Sequence, residues 1–256
     1  MEKPRKVRAD ELLVLQNKAP SRSIAKALVM SGKVRVGPDS VVGKPSDLFP
    51  IDAPLSVAAP PPYVSRGGEK LAAALRRFQI NPAGLHALDI GASTGGFTDC
   101  LLQNGAAGVV CVDVGRAQLH PRLRSDPRVT NLEKINARLL DDTVLPLPMF
   151  GIVVMDLSFI SLRKVLAPAW RRVARSGWLV ALIKPQFEAG KAEVDKGRGV
   201  IRDPQVHERV VREITEFASK ELPGIQSSHV TDSPIEGGDG NREFLFAAQK
   251  AAPPPG

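Results

Sequence analysis

The segment ALDIGASTGGFTDCLL, residues 87–102, constrains the fold more than any other stretch of the chain. An apolar run carries Asp89 near its end, a turn holds Gly91, Gly95 and Gly96, and an amphipathic run follows. A strand, a tight glycine turn and a helix in immediate succession form a unit of an α/β sheet, and the glycines let backbone amides approach a ligand at the helix N-terminus. The spacing is G-x-x-x-G-G and not the dinucleotide G-x-G-x-x-G, and no Walker lysine follows. A second acid, Asp113, closes the next apolar run, where the ribose hydroxyls of an adenosine-containing ligand could be gripped. A diphosphate would sit badly over Asp89, so the two acids and the turn point to S-adenosylmethionine as cofactor. The alternative is a turn that only packs strand against helix.

The pattern around this unit alternates. Helices are expected at Gly68 to Phe78 and Gly96 to Asn104, and strands at His86 to Ile90, Gly108 to Val114, Ile152 to Asp156 and Leu179 to Lys184, with two late strands at Gln226 to Asp232 and Glu243 to Gln249. Such alternation implies an α/β fold with a mostly parallel, doubly wound, Rossmann-like sheet. Ahead of it, residues 9–15 have helical apolar spacing, Ser21 is a plausible cap for a second helix running to Met30, and KVRVGPDSVV reads as a hairpin about a Gly-Pro-Asp turn. The stretch from Ser56 to Tyr63, with prolines at 60, 61 and 62, is stiff and poor in donors and reads as a linker. Two domains are therefore expected, a small α+β module over residues 1–60 and a larger α/β domain over 61–250. The AAPPPG tail is expected to be disordered.

Charge distinguishes the two. The chain has a net charge of +8. Residues 1–36 hold nine Lys or Arg against three Asp or Glu, a surplus of six, so a polyanionic partner is expected to meet the N-terminal module. Cys100 and Cys111 are the only cysteines, with no spacing for a disulfide framework or a zinc site, so no metal is called for and a reducing cytoplasm is the simplest compartment. The most apolar stretches are strand-length, which argues against membrane insertion.

Four charged residues fall where α/β sheets place their ligands. Asp156 closes GIVVMD, Lys184 closes WLVALIK, Glu243 opens EFLFAA, and Lys70 lies on the first helix of the larger domain. A ribose 2′-hydroxyl is a poor nucleophile until a base takes its proton, and Lys184 is the candidate base. Burial and Lys70 would favour its neutral form, while Asp156 and Glu243 would favour the charged form and hold it in position. Ion pairs without a chemical role are the alternative.

These residues resemble the TlyA family, bacterial proteins known both as haemolysins and as rRNA 2′-O-methyltransferases. In the first domain R-x-D-E-L-L from Arg8, S-R-S-x-A-K from Ser21 and G-K-V-x-V from Gly32 are similar to the alpha-L RNA-binding fold; in the second VSRGGEKL, LDIGASTGGFTD, VMDLSFISL and LIKPQFE are similar to an FtsJ-like methyltransferase domain. The resemblance implies a catalytic tetrad at Lys70, Asp156, Lys184 and Glu243, with Glu236 close by in sequence. It implies cofactor contacts at Asp89, Gly91, Ser93, Thr94, Gly95, Gly96, Phe97, Asp113, Asn136 and Asp156, and cytidine riboses of ribosomal RNA as substrate, presented as RNA or ribosomal subunits. Arg8, Ser21, Arg22, Lys26, Lys33 and Arg66 are the RNA-contact candidates, acting largely on phosphates. Aromatic residues are sparse, so folded RNA shape is the expected target.

Three rivals differ in their requirements. A methyltransferase acting on an exocyclic base amine would carry a D/N-P-P-Y-like tetrapeptide where this chain has DLSF at residues 156–159. A membrane-active haemolysin needs a long apolar segment or a strongly amphipathic exposed helix. A pure RNA-binding factor would not need the glycine turn or the four charged residues.

Overall fold

A computed structural model describes residues 5–59, 61–140 and 143–252. Pro60 of the expected linker and residues 253–256 of the expected disordered tail lie outside these. The contacts divide the chain into two compact units, Met1–Pro61 and Pro62–Gly256.

In the first unit β1 (Lys6–Arg8) leads into α1 (Ala9–Leu15), and α2 (Arg22–Met30) begins where the Ser21 side chain accepts from the Ile24 amide. The strands β2 (Val34–Val36) and β3 (Ser40–Val41) form the hairpin, with Gly37 at φ +65° supplying the left-handed turn residue. Strand β4 (Leu48–Pro50) pairs antiparallel with β1, and β5 (Leu55–Val57) pairs antiparallel with β2. The stretch read as a linker from Ser56 therefore starts too early. Leu55 is buried beside Leu12, Leu13, Ala25, Val29 and Val34, and that burial draws Ser56 and Val57 into the sheet.

The second unit opens with α3 (Gly67–Arg77), β6 (His86–Ile90), α4 (Gly96–Gln103), β7 (Gly108–Asp113), the single turn α5 (Pro121–Arg124) and β8 (Val129–Glu133). It continues with β9 (Phe150–Met155), a 3-10 turn (Leu162–Lys164), α6 (Leu166–Arg171), β10 (Val173–Ile183), α7 (Pro185–Glu188), α8 (Lys191–Lys196), α9 (Pro204–Glu221), β11 (Ile225–Asp232) and β12 (Phe244–Lys250). The strands form one seven-stranded sheet in the order β11-β12-β10-β9-β6-β7-β8. All neighbours run parallel except β12, which is antiparallel to both β10 and β11.

Period-two alternation assigns the two faces of the sheet. Ile152 and Val154 of β9 pack with Leu71, Leu75 and Leu101 of α3 and α4, whereas Val153 and Met155 pack with Trp170, Val210 and Ile214 of α6 and α9. Helix α9 was not anticipated from sequence, although Asp203 caps it, Pro204 starts it, and buried His207, Val210, Ile214 and Ala218 recur at helical spacing. Strand β8 was also missed, because VTNLE is short and sits at a sheet edge with no fully buried residue. Among the described residues no helix is long and apolar enough to cross a membrane.

Strand order reverses between β6 and β9, and ligands of open α/β sheets bind beyond the carboxyl ends of strands at such a point. The glycine turn follows β6 and Asp156 follows β9. The topology therefore brings both to one crevice.

Candidate active site

The glycine turn is held open by backbone conformations that side chains resist. Gly91, Ser93 and Gly95 have φ of +82°, +48° and +94°. A Cβ on Gly95 would stand 2.3 Å from Leu123 Cδ1, and one on Gly96 would stand 2.2 Å from Ser65 Oγ and 2.9 Å from the Gly68 nitrogen. The start of α4 therefore lies directly against α5 and the start of α3. The turn walls a hollow of about 160 Å³ whose other sides are Ser65, Gly67, Asp156, Ser158 and Lys184, with Thr94 and Phe97 from the turn and helix. A larger hollow of about 330 Å³ shares Gly91, Ser93, Asp156 and Ser158 with it and extends to Asp113 between the apolar side chains of Val112, Ile135, Ala137 and Leu157.

The acids divide in their roles. Asp113 stands at the larger hollow with its carboxylate fixed by two amides, Oδ2 accepting from Ser93 N at 2.8 Å and Oδ1 from Gly115 N at 2.7 Å. Asp89 lines neither hollow. It is wholly buried beneath the turn, where one oxygen accepts from Thr98 Oγ1 at 2.6 Å and the other has no partner among the described residues. Burial pushes its carboxyl up to about 7 against the lowering effect of the Thr98 bond, and the Asp156 and Asp113 carboxylates add to the rise. Asn136 is exposed and turns its Oδ1 to the Arg138 amide at 3.0 Å, while its neighbours Ile135 and Ala137 line the larger hollow.

The four charged residues form two pairs. Lys184 Nζ is 2.6 Å from Asp156 Oδ1 and donates to Ser158 Oγ at 3.1 Å. The pair spans neighbouring parallel strands: Met155, the last residue of β9, lies beside Ala181, two residues before β10 ends. Lys70 Nζ contacts Glu243 Oε2, and both residues are buried, at 7% and 3% exposure. Glu236 is exposed. Ile183 pairs with Phe244, so extending that register by one residue sets Glu243 opposite Lys184 and brings the two pairs to the same end of the sheet.

Two further residues stand in this crevice: Ser158 was not singled out from sequence, and Phe159 was named only for the base-methylating rival. Ser158 lines both hollows and accepts from Lys184. Phe159 is 90% exposed at φ +63°, lines the larger hollow and meets Phe187 with ring centroids 5.1 Å apart. A bulky left-handed residue costs roughly 1–2 kcal/mol, which marks the position as more than connecting loop. The tetrapeptide DLSF was the available signal.

Of the RNA-contact candidates, Arg8 and Arg22 converge on buried Asp10, at 3.0 and 3.3 Å, and Arg22 also reaches Glu11 at 3.1 Å. Both line a hollow of about 420 Å³ with Arg5, Lys6 and Leu48. Ser21 is spent as the cap of α2. Lys26 follows Arg22 by one turn on the same helix and Lys33 precedes β2; both are exposed and make no ion pair among the described residues. Arg66 belongs to the second unit, exposed at the start of α3 beside Ser65 and Gly67 of the smaller hollow.

Sheet order, glycine turn and paired charges define a class, and residues 63–250 match the model of the FtsJ-like methyltransferase family. The 16S/23S rRNA (cytidine-2′-O)-methyltransferase TlyA of Mycobacterium tuberculosis is 44% identical over 244 residues, 94% of this chain and 89% of that protein. Hemolysin A of Brachyspira hyodysenteriae is 38% identical over 240 residues, 93% and 98% of the two chains. A solved structure of a protein from Streptococcus thermophilus, described as a hemolysin, superposes with a TM-score of 0.72 at 38% identity, covering 98% of this chain and 91% of that one. The chain belongs to the TlyA family of FtsJ-like methyltransferases.

Proposed function

We propose that this methyltransferase transfers the methyl group of S-adenosylmethionine to the ribose 2′-hydroxyl of a cytidine in ribosomal RNA, with the N-terminal unit gripping RNA phosphates. The observation that carries the reading is the Lys184–Asp156 pair at the wall of the hollow beside the glycine turn. The residues fit the cofactor. The turn offers backbone without side chains, the apolar walls at Val112, Ile135 and Leu157 suit an adenine ring, and Asp113 presents a carboxylate to ribose hydroxyls. When bound, S-adenosylmethionine supplies an electrophilic methyl group on a sulfonium.

The chain's own residues do the rest. Lys184 is the base that takes the proton of the ribose hydroxyl, and Asp156 at 2.6 Å orients Nζ and stabilises the ammonium that results. Ser158 Oγ holds the same nitrogen from a second direction. The buried Lys70–Glu243 pair places a cation and an anion at the same sheet end and keeps the local field balanced as Lys184 changes charge. Alignment of the hydroxyl with the methyl group supplies the larger part of the rate. Phe159, exposed and lining the larger hollow, offers a ring face on which an unstacked base can lie.

The test is transfer of labelled methyl groups to ribosomal subunits lacking the modification, comparing wild type with Lys184→Ala and locating the product by its resistance to alkaline cleavage. The expected result is a ribose-methylated product that falls by about 10²–10⁴-fold in the variant. Base methylation indifferent to Lys184, or no transfer to any RNA, overturns the reading.

A further inference from the structure

The loop after β9 carries Asp156, Ser158 and Phe159, yet its far end is not held by β9. Two donors there, the Leu162 amide and the Ser161 hydroxyl, both point at one carboxylate, Glu188, at 2.6 Å each. Each oxygen of Glu188 takes one donor. Glu188 closes α7, the single turn that starts directly after Lys184, so the acid loop and the lysine are tied together by a residue four positions beyond the lysine. Phe159 and Phe187 meet between the same two segments.

The tie is itself anchored. Arg163, next along the loop, pairs with Glu213 of α9 at 2.6 Å; Glu213 pairs with Arg209 at 3.2 Å, and Arg209 with Glu193 of α8 at 2.6 Å. The loop's downstream end is thus braced against α7, α8 and α9, while Glu188 itself lines neither hollow. A carboxylate with both oxygens engaged, one by a backbone amide, fixes a loop more rigidly than packing alone.

We infer that Glu188 is a positioning residue, one that holds the loop bearing Asp156, Ser158 and Phe159 in register with Lys184 without touching cofactor or substrate. The inference rests on the methyl-transfer reading for its rate arm only. Glu188→Ala removes both acceptors, whereas Glu188→Gln keeps the contact geometry: its carbonyl oxygen still accepts from Leu162 N, and its amide can donate to Ser161 Oγ.

Three readouts on the full chain test this, with S-adenosylmethionine as the cofactor probe and unmodified ribosomal subunits as the acceptor. Hydrogen exchange across residues 156–163 reads the loop, calorimetry reads cofactor affinity, and single-turnover methyl transfer reads the rate. In Glu188→Ala the loop should lose protection while β9 and β10 keep theirs, the transfer rate should fall by about 10–100-fold, and cofactor affinity should fall by less than the rate does. Glu188→Gln should restore protection and come within about threefold of the wild-type rate. Unchanged loop exchange in Glu188→Ala, a Gln variant as impaired as the Ala variant, or a rate loss matched by an equal loss of cofactor affinity overturns the inference. If no variant, wild type included, transfers methyl to RNA, the proposed function fails and loop exchange alone decides the positioning role.

Discussion

Removing one member of the buried Lys70–Glu243 pair and then both separates a structural pair from a functional one. Both side chains are almost fully withdrawn from water, at 9% and 3% side-chain exposure. Glu243→Leu leaves the Lys70 ammonium without its partner, so it must either stay charged in a poor solvent or give up its proton. Breaking a buried pair in this way typically costs about 3–5 kcal/mol, whereas replacing both members by apolar groups of similar volume is close to neutral. For a unit of this size each kcal/mol moves the melting temperature by roughly 2–4 °C, so the single variant should melt about 6–20 °C lower. The double variant Lys70→Met/Glu243→Leu should recover most of that loss in a thermal scan by circular dichroism. Methyl transfer should remain depressed by at least about 10²-fold in the double variant, because the balanced charges beside Lys184 are gone. Recovery of activity together with stability would refute the functional assignment and leave the pair as scaffolding; a double variant as unstable as the single one would refute the energetic reasoning.

Three further outcomes follow from the same geometry. Gly91→Ala forces φ +82° on a residue with a Cβ that would lie 2.8 Å from the Asp156 carbonyl oxygen, so calorimetry should show at least about tenfold weaker cofactor binding through strain of about 2 kcal/mol or more. Asp89, pushed up to about 7 from 3.8 by burial, binds its proton more tightly folded than unfolded. Its contribution is therefore fully present below about pH 3.8 and lost as pH rises from there through 7, so unfolding free energy against pH should fall more steeply in wild type than in Asp89→Asn across that window, by up to roughly 1.4 kcal/mol per pH unit; parallel curves would contradict the burial account. Lys26→Ala/Lys33→Ala removes two cations that make no ion pair among the described residues, and should weaken RNA binding for all sequences and lower the slope of log affinity against log salt by about 2.

Much of the second unit was legible because its signals are local. An apolar run of strand length, a left-handed glycine and an amphipathic helix are written in neighbouring residues, so β6, α4, β7 and β12 lie within a residue or two of their expected limits. Strand β5 was misread as linker because the prolines after it outweighed a pairing partner, β2, some twenty residues away. Asp89 was read as a ligand contact because it precedes the turn, but alternation along β6 points it inward, onto Thr98 and away from both hollows.

The alternation of strands and helices, the glycine turn and the acids near the strand ends are local properties, since each depends on the residues beside it. Which charges meet is set by contacts between distant segments. Lys70 and Glu243 stand 173 residues apart and are joined because α3 packs over the start of β12, while Asp156 and Lys184 are joined because β9 and β10 are parallel neighbours. Nor could spacing show that Glu188 would clasp the loop of Ser161 and Leu162, because that contact exists only once two strands have set their carboxyl ends side by side. Burial then fixes the energetic weight of each pair, and burial is a property of the folded sheet and its covering helices, not of any stretch of chain.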